Sequence, residues 1–170
     1  MTKTTQTLLI IAVIALIATT GALLYLFNEN KQVTEQQAIV ALDEGIALFY
    51  QKKYAESLET LQGIPDGVIT DWHLPYYTAT AHVMLKNYEA AAPILEQALE
   101  INPQGAEIMF ELGVVYFKLG NLALSKGYFA SVLEVDPTNE EAKGLMDIMA
   151  NLERQQPGYS GPEPEEKTNN

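Results

Sequence analysis

GIALFYQKKYAESLETL (45–61), ATAHVMLKNYEAAAPIL (79–95) and GVVYFKLGNLALSKGYF (113–129) are three versions of one pattern. Gly45, Ala79 and Gly113 stand 34 residues apart, and the same step joins Tyr54, Tyr88 and Leu122. It joins Ser57, Ala91 and Ser125, and then Leu61, Leu95 and Phe129. Small residues recur where two helices must touch, and large apolar ones where they must interlock. A fixed period of this length marks a stacked helical array, in which each unit buries its apolar face on its neighbours.

Turn chemistry divides the array further. Lys52-Lys53, Lys86-Asn87 and Gly120-Asn121 fall inside the copies, while Gly63 to Gly67, Asn102-Pro103 and Asp136-Pro137 fall between them. The spacing predicts repeats over about 38–71, 72–105 and 106–137. Thr34 with Gln37 reads as a capping box opening a helix that ends near Tyr50 or Gln51, and its partner runs from Tyr54 to about Gln62. Asp71 reads as the N-cap of a helix ending near Leu85, with Pro75 in its first turn. Tyr88 to Ile101, with Pro93 inside it, Gln104 to Leu119 and Leu122 to Val135 complete the pairs. Thr138 with Glu141 reads as a second capping box, opening a capping helix over 138–154 whose Leu145, Ile148, Met149 and Leu152 face the stack. The Pro-, Gly- and Glu-rich tail, 155–170, is expected to be disordered.

Before the array, Leu8 to Phe27 is a run without a charged residue, polar only at Thr19, Thr20 and Tyr25. A helix of that length is about 30 Å long, the thickness of a bilayer's hydrocarbon core. Its 12 Leu, Ile, Val and Phe residues each favour insertion by roughly 0.3–0.6 kcal/mol. A transmembrane helix over 8–27 is therefore expected, after a flank at 1–7 and before a polar linker at 28–33. A cleaved signal peptide is the competing reading, but Leu23 to Phe27 continues past the small residues at which cleavage would occur. Lys3, with no acid on its side, leans toward an N-terminus inside and repeats on the periplasmic or outer face of an inner membrane. Ala12, Ala15, Thr19 and Ala22 form a small-residue stripe that would let this helix pack closely against another.

The 10 basic and 22 acidic residues leave a net charge of −12, which argues against nucleic acid as a partner. The absence of cysteine excludes disulfides, thiolate metal sites and cysteine nucleophiles. His73 and His82 lack the clustering of metal ligands. Neither a phosphate-binding glycine loop nor a hydrolase motif occurs. Neither an enzyme nor a cofactor is expected.

The third copy resembles a tetratricopeptide repeat. Leu112-Gly113, Tyr116, Phe129 and Pro137 match the family's L-G-x-x-Y, F and P positions, with Met109 for tryptophan and Ser125 for alanine. The second copy keeps Ala91 and Pro103 but carries Ala79, His82 and Leu95, and the first keeps Gly45, Tyr54 and Leu61 but has Ile69 for proline. The resemblance covers about 34–154 and implies an all-α solenoid of three helical hairpins plus the capping helix. It also implies a protein–protein interaction module whose first helices line a concave groove.

That groove would be lined by Leu42, Ile46, Phe49 and Tyr50 in the first copy, and by His73, Tyr76, Thr80, Val83 and Met84 in the second. The third copy would add Phe110, Val114, Phe117 and Lys118. Most are apolar or aromatic, as suits an amphipathic helix or extended peptide. The basic set with which some family members clamp a terminal carboxylate is missing, since Leu42, Ile46, Glu107 and Glu111 take those places. The expectation is a membrane-anchored adaptor that assists folding or assembly of envelope complexes by holding a protein client beside the lipid bilayer. Alternatives are a constitutive accessory subunit, an organelle-surface receptor with cytosolic repeats, and a groove filled by the chain itself or by a homo-oligomer.

Overall fold

The computed structural model describes residues 3–155, and of these the side chains at 3–15, 18, 26, 29, 30 and 33 are outside the description. Seven helices are found among the described residues: α1 (Lys3–Tyr50), α2 (Tyr54–Gln62), α3 (His73–Met84), α4 (Tyr88–Ile101), α5 (Ala106–Lys118), α6 (Leu122–Val135) and α7 (Glu140–Arg154). The end of α1 pairs with α2, α3 with α4 and α5 with α6, and each hairpin stacks on the next, with α7 closing the array on α6. The first helices also touch in sequence, α1 on α3 and α3 on α5, which makes them the inner row.

The hairpins close at the small residues of the repeat. A methyl group added at Gly113 would lie 2.7 Å from Phe129 Cε1, and one at Gly45 would lie 2.5 Å from Leu61 Cδ2. Ser125 Oγ donates to the Gly113 carbonyl at 2.8 Å, and Ser57 Oγ donates to the Gly45 carbonyl at 2.8 Å. Both hydroxyls are fully buried, and so are Phe129 and Leu61. In the second hairpin Ala79 and Ala91 take the same places, both fully buried. One core cluster joins these alanines to Leu95, Ile108, Leu112 and Val115, so it spans the second and third hairpins.

The turn within each hairpin also repeats. Lys52, Lys86 and Gly120 all have positive φ, at 62°, 64° and 78°. The helix before each turn ends in the same pair of hydrogen bonds, for example Asn87 N–H to the His82 carbonyl at 2.9 Å and Lys86 N–H to the Val83 carbonyl at 2.9 Å. Only the third turn has the glycine that this backbone favours.

Several expected boundaries are corrected. No linker occurs at 28–33, and no helix opens at Thr34: α1 runs unbroken from Lys3 to Tyr50. The stretch N-E-N-K-Q-V-T-E-Q holds neither glycine nor proline, and Lys31 and Glu35 pair across one turn at 3.5 Å. Thr138 does not cap α7; Asn139 does, its Oδ1 accepting from Ala142 N–H at 2.9 Å. Thr138 is held instead by Asp136, whose Oδ1 accepts from its hydroxyl at 2.7 Å and its N–H at 3.0 Å. Ile148 and Leu152 do not face the stack and are exposed, while Ala142 and Met149 are fully buried. The third pair opens at Ala106 rather than Gln104, after the buried Gly105.

Half of the expected span over 8–27 (residues 8–15, 18 and 26) lies outside the described side chains. Among the described residues no helix is long and apolar enough to cross a membrane. Residues 1 and 2 and the tail 156–170, expected to be disordered, also lie outside the description.

Two substitutions test this architecture. Gly113→Ala should lower stability by about 1–3 kcal/mol, because the fully buried Phe129 ring cannot yield and the clash outweighs alanine's helix preference. Lys86→Gly should raise it by about 0.5–1 kcal/mol, relieving a left-handed lysine at an exposed site. Circular-dichroism melts of the purified chain measure both, and an unchanged midpoint for Gly113→Ala would contradict the crossing described.

Candidate functional site

The inner row presents two hollows. The first, of about 530 Å³, lies between α1 and the segment before α3, lined by Glu35, Ile39, Leu42, Asp43, Ile46, Val68, Ile69, Thr70, Asp71 and His73. The second, of about 270 Å³, lies where α1, α3 and α5 meet, lined by Phe49, Tyr50, Tyr76, Tyr77, Thr80, Val83, Met84 and Glu111.

Aromatic rings make one wall of the second hollow. Phe49 meets Tyr77 edge-on with centroids 5.5 Å apart, and Tyr76 meets Tyr77 in the same manner at 5.3 Å. The Tyr50 and Tyr77 hydroxyls share a hydrogen bond of 2.8 Å. Burial pushes the Tyr77 phenol up to about 12, helped by the Tyr50 hydrogen bond and charge. Thr80, itself buried, donates its hydroxyl to the Tyr76 carbonyl at 2.9 Å, so it supports the wall and offers no free polar group. Tyr50 and Met84, at 69 % and 48 % exposure, form the rim.

The floor carries a carboxylate. Glu111 is half-buried, and burial pushes its carboxyl above the ordinary range. The Tyr76 phenol is raised too, by burial first and then by the charge of Glu111, with smaller contributions from Tyr77, Glu107 and Tyr50. Glu107 lies one turn before Glu111 on α5, a like-charge pair that weakens an isolated helix.

The thirteen residues expected in the groove therefore divide among four places. Leu42, Ile46 and His73 line the first hollow, while Phe49, Tyr50, Tyr76, Thr80, Val83 and Met84 line the second. Phe110, Val114 and Phe117 belong to neither. They pack with the cluster of Met109, Phe129, Val132, Ala142 and Met149, to which α7 contributes, and Phe110 meets Phe129 edge-on at 5.4 Å. Lys118 is exposed at the end of α5. His73 stacks on Trp72 at 3.9 Å and pairs through Nδ1 with Asp71 Oδ1. That carboxylate also accepts from His73 N–H at 2.8 Å, but α3 has Trp72, not the expected Asp71, at its N-cap position. His82 fills its repeat slot, its Nδ1 buried with no hydrogen-bond partner among the described residues, and burial lowers its pKa. Of the stripe on α1, Ala12 and Ala15 lie outside the described side chains, and Thr19 and Ala22 are exposed.

Sequence reasoning left Tyr77 out of the groove and placed Glu111 there only as a residue standing where a carboxylate clamp would be basic. The signal was the period itself, since Asp43, Tyr77 and Glu111 stand at the same 34-residue step. All three line a hollow of the inner row.

Residues 82–149 match the family model described as a tetratricopeptide repeat. RNA polymerase II-associated protein 3 of Homo sapiens is 28 % identical over 115 residues, which are 68 % of this chain and 17 % of that protein. The cell division cycle protein 16 homolog of Mus musculus is 28 % identical over 115 residues, 66 % of this chain and 18 % of that protein. The chain thus spans under a fifth of the length of these two relatives. Among solved structures, the first tetratricopeptide domain of Spaghetti (RPAP3), bound to the HSP90 peptide SRMEEVD, superposes with a TM-score of 0.65 at 26 % identity. That match covers 69 % of this chain and 94 % of that one. MamA superposes with a TM-score of 0.60 at 20 % identity, over 67 % of this chain and 72 % of that one, and shows the shared fold. The described hairpins have the tetratricopeptide fold, and residues 82–149 carry its sequence pattern as well.

Because Phe110 packs against the buried cluster and Tyr50 is rim, their truncations should part. Phe110→Ala should destabilise the chain by about 2–3 kcal/mol, and Tyr50→Ala by less than about 1 kcal/mol. Equal melting temperatures for the two variants would contradict this division of the inner face.

Proposed function

We propose that the chain is a non-catalytic, membrane-anchored adaptor that holds a segment of a partner protein in the hollow between α1, α3 and α5. The observation that carries this reading is an open inner-row hollow walled by aromatic and apolar side chains, with Tyr50 and Met84 exposed at its rim. Its supports include the peptide bound by a solved tetratricopeptide domain of the same fold. An acidic C-terminal peptide such as SRMEEVD suits this chain poorly, because no residue lining the hollow is cationic and its floor is Glu111. An apolar or basic segment suits it better.

The anchor is supported by α1. The part of the helix before Ala38 contains no buried residue among the described side chains, and Leu16, Ile17, Leu23, Leu24, Tyr25 and Phe27 are 64–71 % exposed. Side chains of that kind on an uncharged run call for lipid or another helix to cover them. In this reading the run 8–27 spans the bilayer and the repeats stand on its periplasmic or outer face. Since α1 continues without a break into the first hairpin, the groove stays close to the membrane and rigidly placed. Such tethering raises the effective concentration of a membrane-bound client without any new contact, which suits a factor that assists assembly.

A photo-crosslinking amino acid at position 84 should give a discrete adduct in intact membranes that the same probe at position 148, on the outer side of α7, does not give. Protease added to intact spheroplasts should remove the repeats. Equal adducts at both positions would overturn the groove, and full protection of the repeats would overturn the outward placement.

A further inference from the structure

The floor of the second hollow is unusual for a surface that accepts apolar side chains. Glu111 makes no hydrogen bond or ion pair with any described residue, and no described cation offsets its charge, since burial is the cause of its raised pKa. Glu107, one turn away on the same helix, also lacks an ion pair among the described residues and adds a second negative charge beside Tyr76. A half-buried, unpaired carboxylate costs stability. A like-charged neighbour at i−4 adds to that cost. Ile108, Met109, Leu112 and Val115 make the buried face of α5, and Glu111, one turn from both Ile108 and Val115, stands at the edge of that face toward the hollow.

Around this charge stand aromatic rings. Phe49, Tyr50, Tyr76 and Tyr77 come from two helices and meet edge to face at 5.3–6.0 Å. Ring faces attract cations, and a carboxylate at the base of a pocket so walled completes the recognition chemistry of an ammonium or guanidinium group. The hollow is of side-chain size, at about 270 Å³. The chain's net charge of −12 would draw a basic segment toward it.

We propose that the hollow between α1, α3 and α5 receives one basic side chain, arginine or lysine, projecting from the partner segment, with the Glu111 carboxylate as its counter-ion and the Tyr50, Tyr76 and Tyr77 rings as its walls. This rests on the groove reading above and narrows it. The flanking apolar residues of the partner lie over Val83 and Met84. The arriving cation restores to Glu111 the charge partner that the free protein lacks.

The test uses the full chain in detergent micelles and an array of nonapeptides. The array varies flanking leucine and alanine, and its central residue runs through arginine, lysine, citrulline, norleucine and glutamate. Arginine peptides should be retained at least tenfold over their citrulline counterparts. Glu111→Gln should reduce that ratio to within about twofold, with a melting temperature equal to or above that of the parent. Glu89→Gln, which removes the same charge from an exposed site on α4, should leave the ratio as it was. Equal retention of arginine and citrulline peptides overturns the proposal while the groove reading stands, as does a preference that survives Glu111→Gln. If no peptide is retained above a micelle blank, both fall.

Discussion

Each hairpin is held where one helix presents almost no side chain to the other. At Gly45 and Gly113 the helices approach so closely that Leu61 and Phe129 occupy the space a methyl group would need. The buried serine on the second helix reaches the freed carbonyl, at 2.8 Å in both hairpins. Two effects with one cause are at work here. The missing Cβ permits the approach, and the approach brings a hydroxyl within reach of a backbone oxygen that already serves the helix. In the second hairpin, Ala79 and Ala91 occupy the corresponding positions and both are fully buried. Because this crossing recurs every 34 residues, the three hairpins share one geometry, and their first helices fall into a row.

Most of this was legible beforehand, for a physical reason. Close crossings and turns depend on residue size and backbone freedom, and both are written directly in residue type. The six helix termini around the three internal turns lie within a residue or so of the expected places, and the Gly120 turn was recognised from its glycine. Lys52 and Lys86 adopt the same left-handed turn without the residue that announces it, so only their register with Gly120 gives them away. Helix continuity was misread for the opposite reason. Thr34 and Gln37 have the spacing of a capping box, but such a box takes effect only if the preceding backbone leaves the helix, and nothing in 28–33 makes it leave. At Thr138 the competing acceptor is Asp136 across a proline, and Asn139 then takes the cap.

The inner face was harder to read, because its residues are not selected by the rules that make hairpins. Periodicity places a side chain on the inner row but does not say what lies over it. Phe110, Val114 and Phe117 occupy the same columns as Tyr76, Thr80 and Val83, one repeat on, yet they pack into the cluster to which α7 contributes. Met149, which belongs to that cluster, stands beyond the last copy of the period, and no column in the repeat could reveal that contact. Glu111 was read only as the absence of a basic clamp residue, and its acidic character sets it apart from the aromatic and apolar side chains around it. That inconsistency between a residue and its setting is where function tends to be found.

The two ends of the described array differ. Stacking from α2 to α6 gives every hairpin a neighbour, but the third meets a single helix, α7, in place of a fourth hairpin. The apolar residues of this helix divide. Ala142 and Met149 enter the core, while Ile148 and Leu152 remain outside. At the other end, α1 continues past the array instead of turning back, and Phe49 and Tyr50 near its C-terminus line the second hollow. The same unbroken helix that carries the uncharged run 8–27 thus supplies two of the four aromatic side chains around the second hollow.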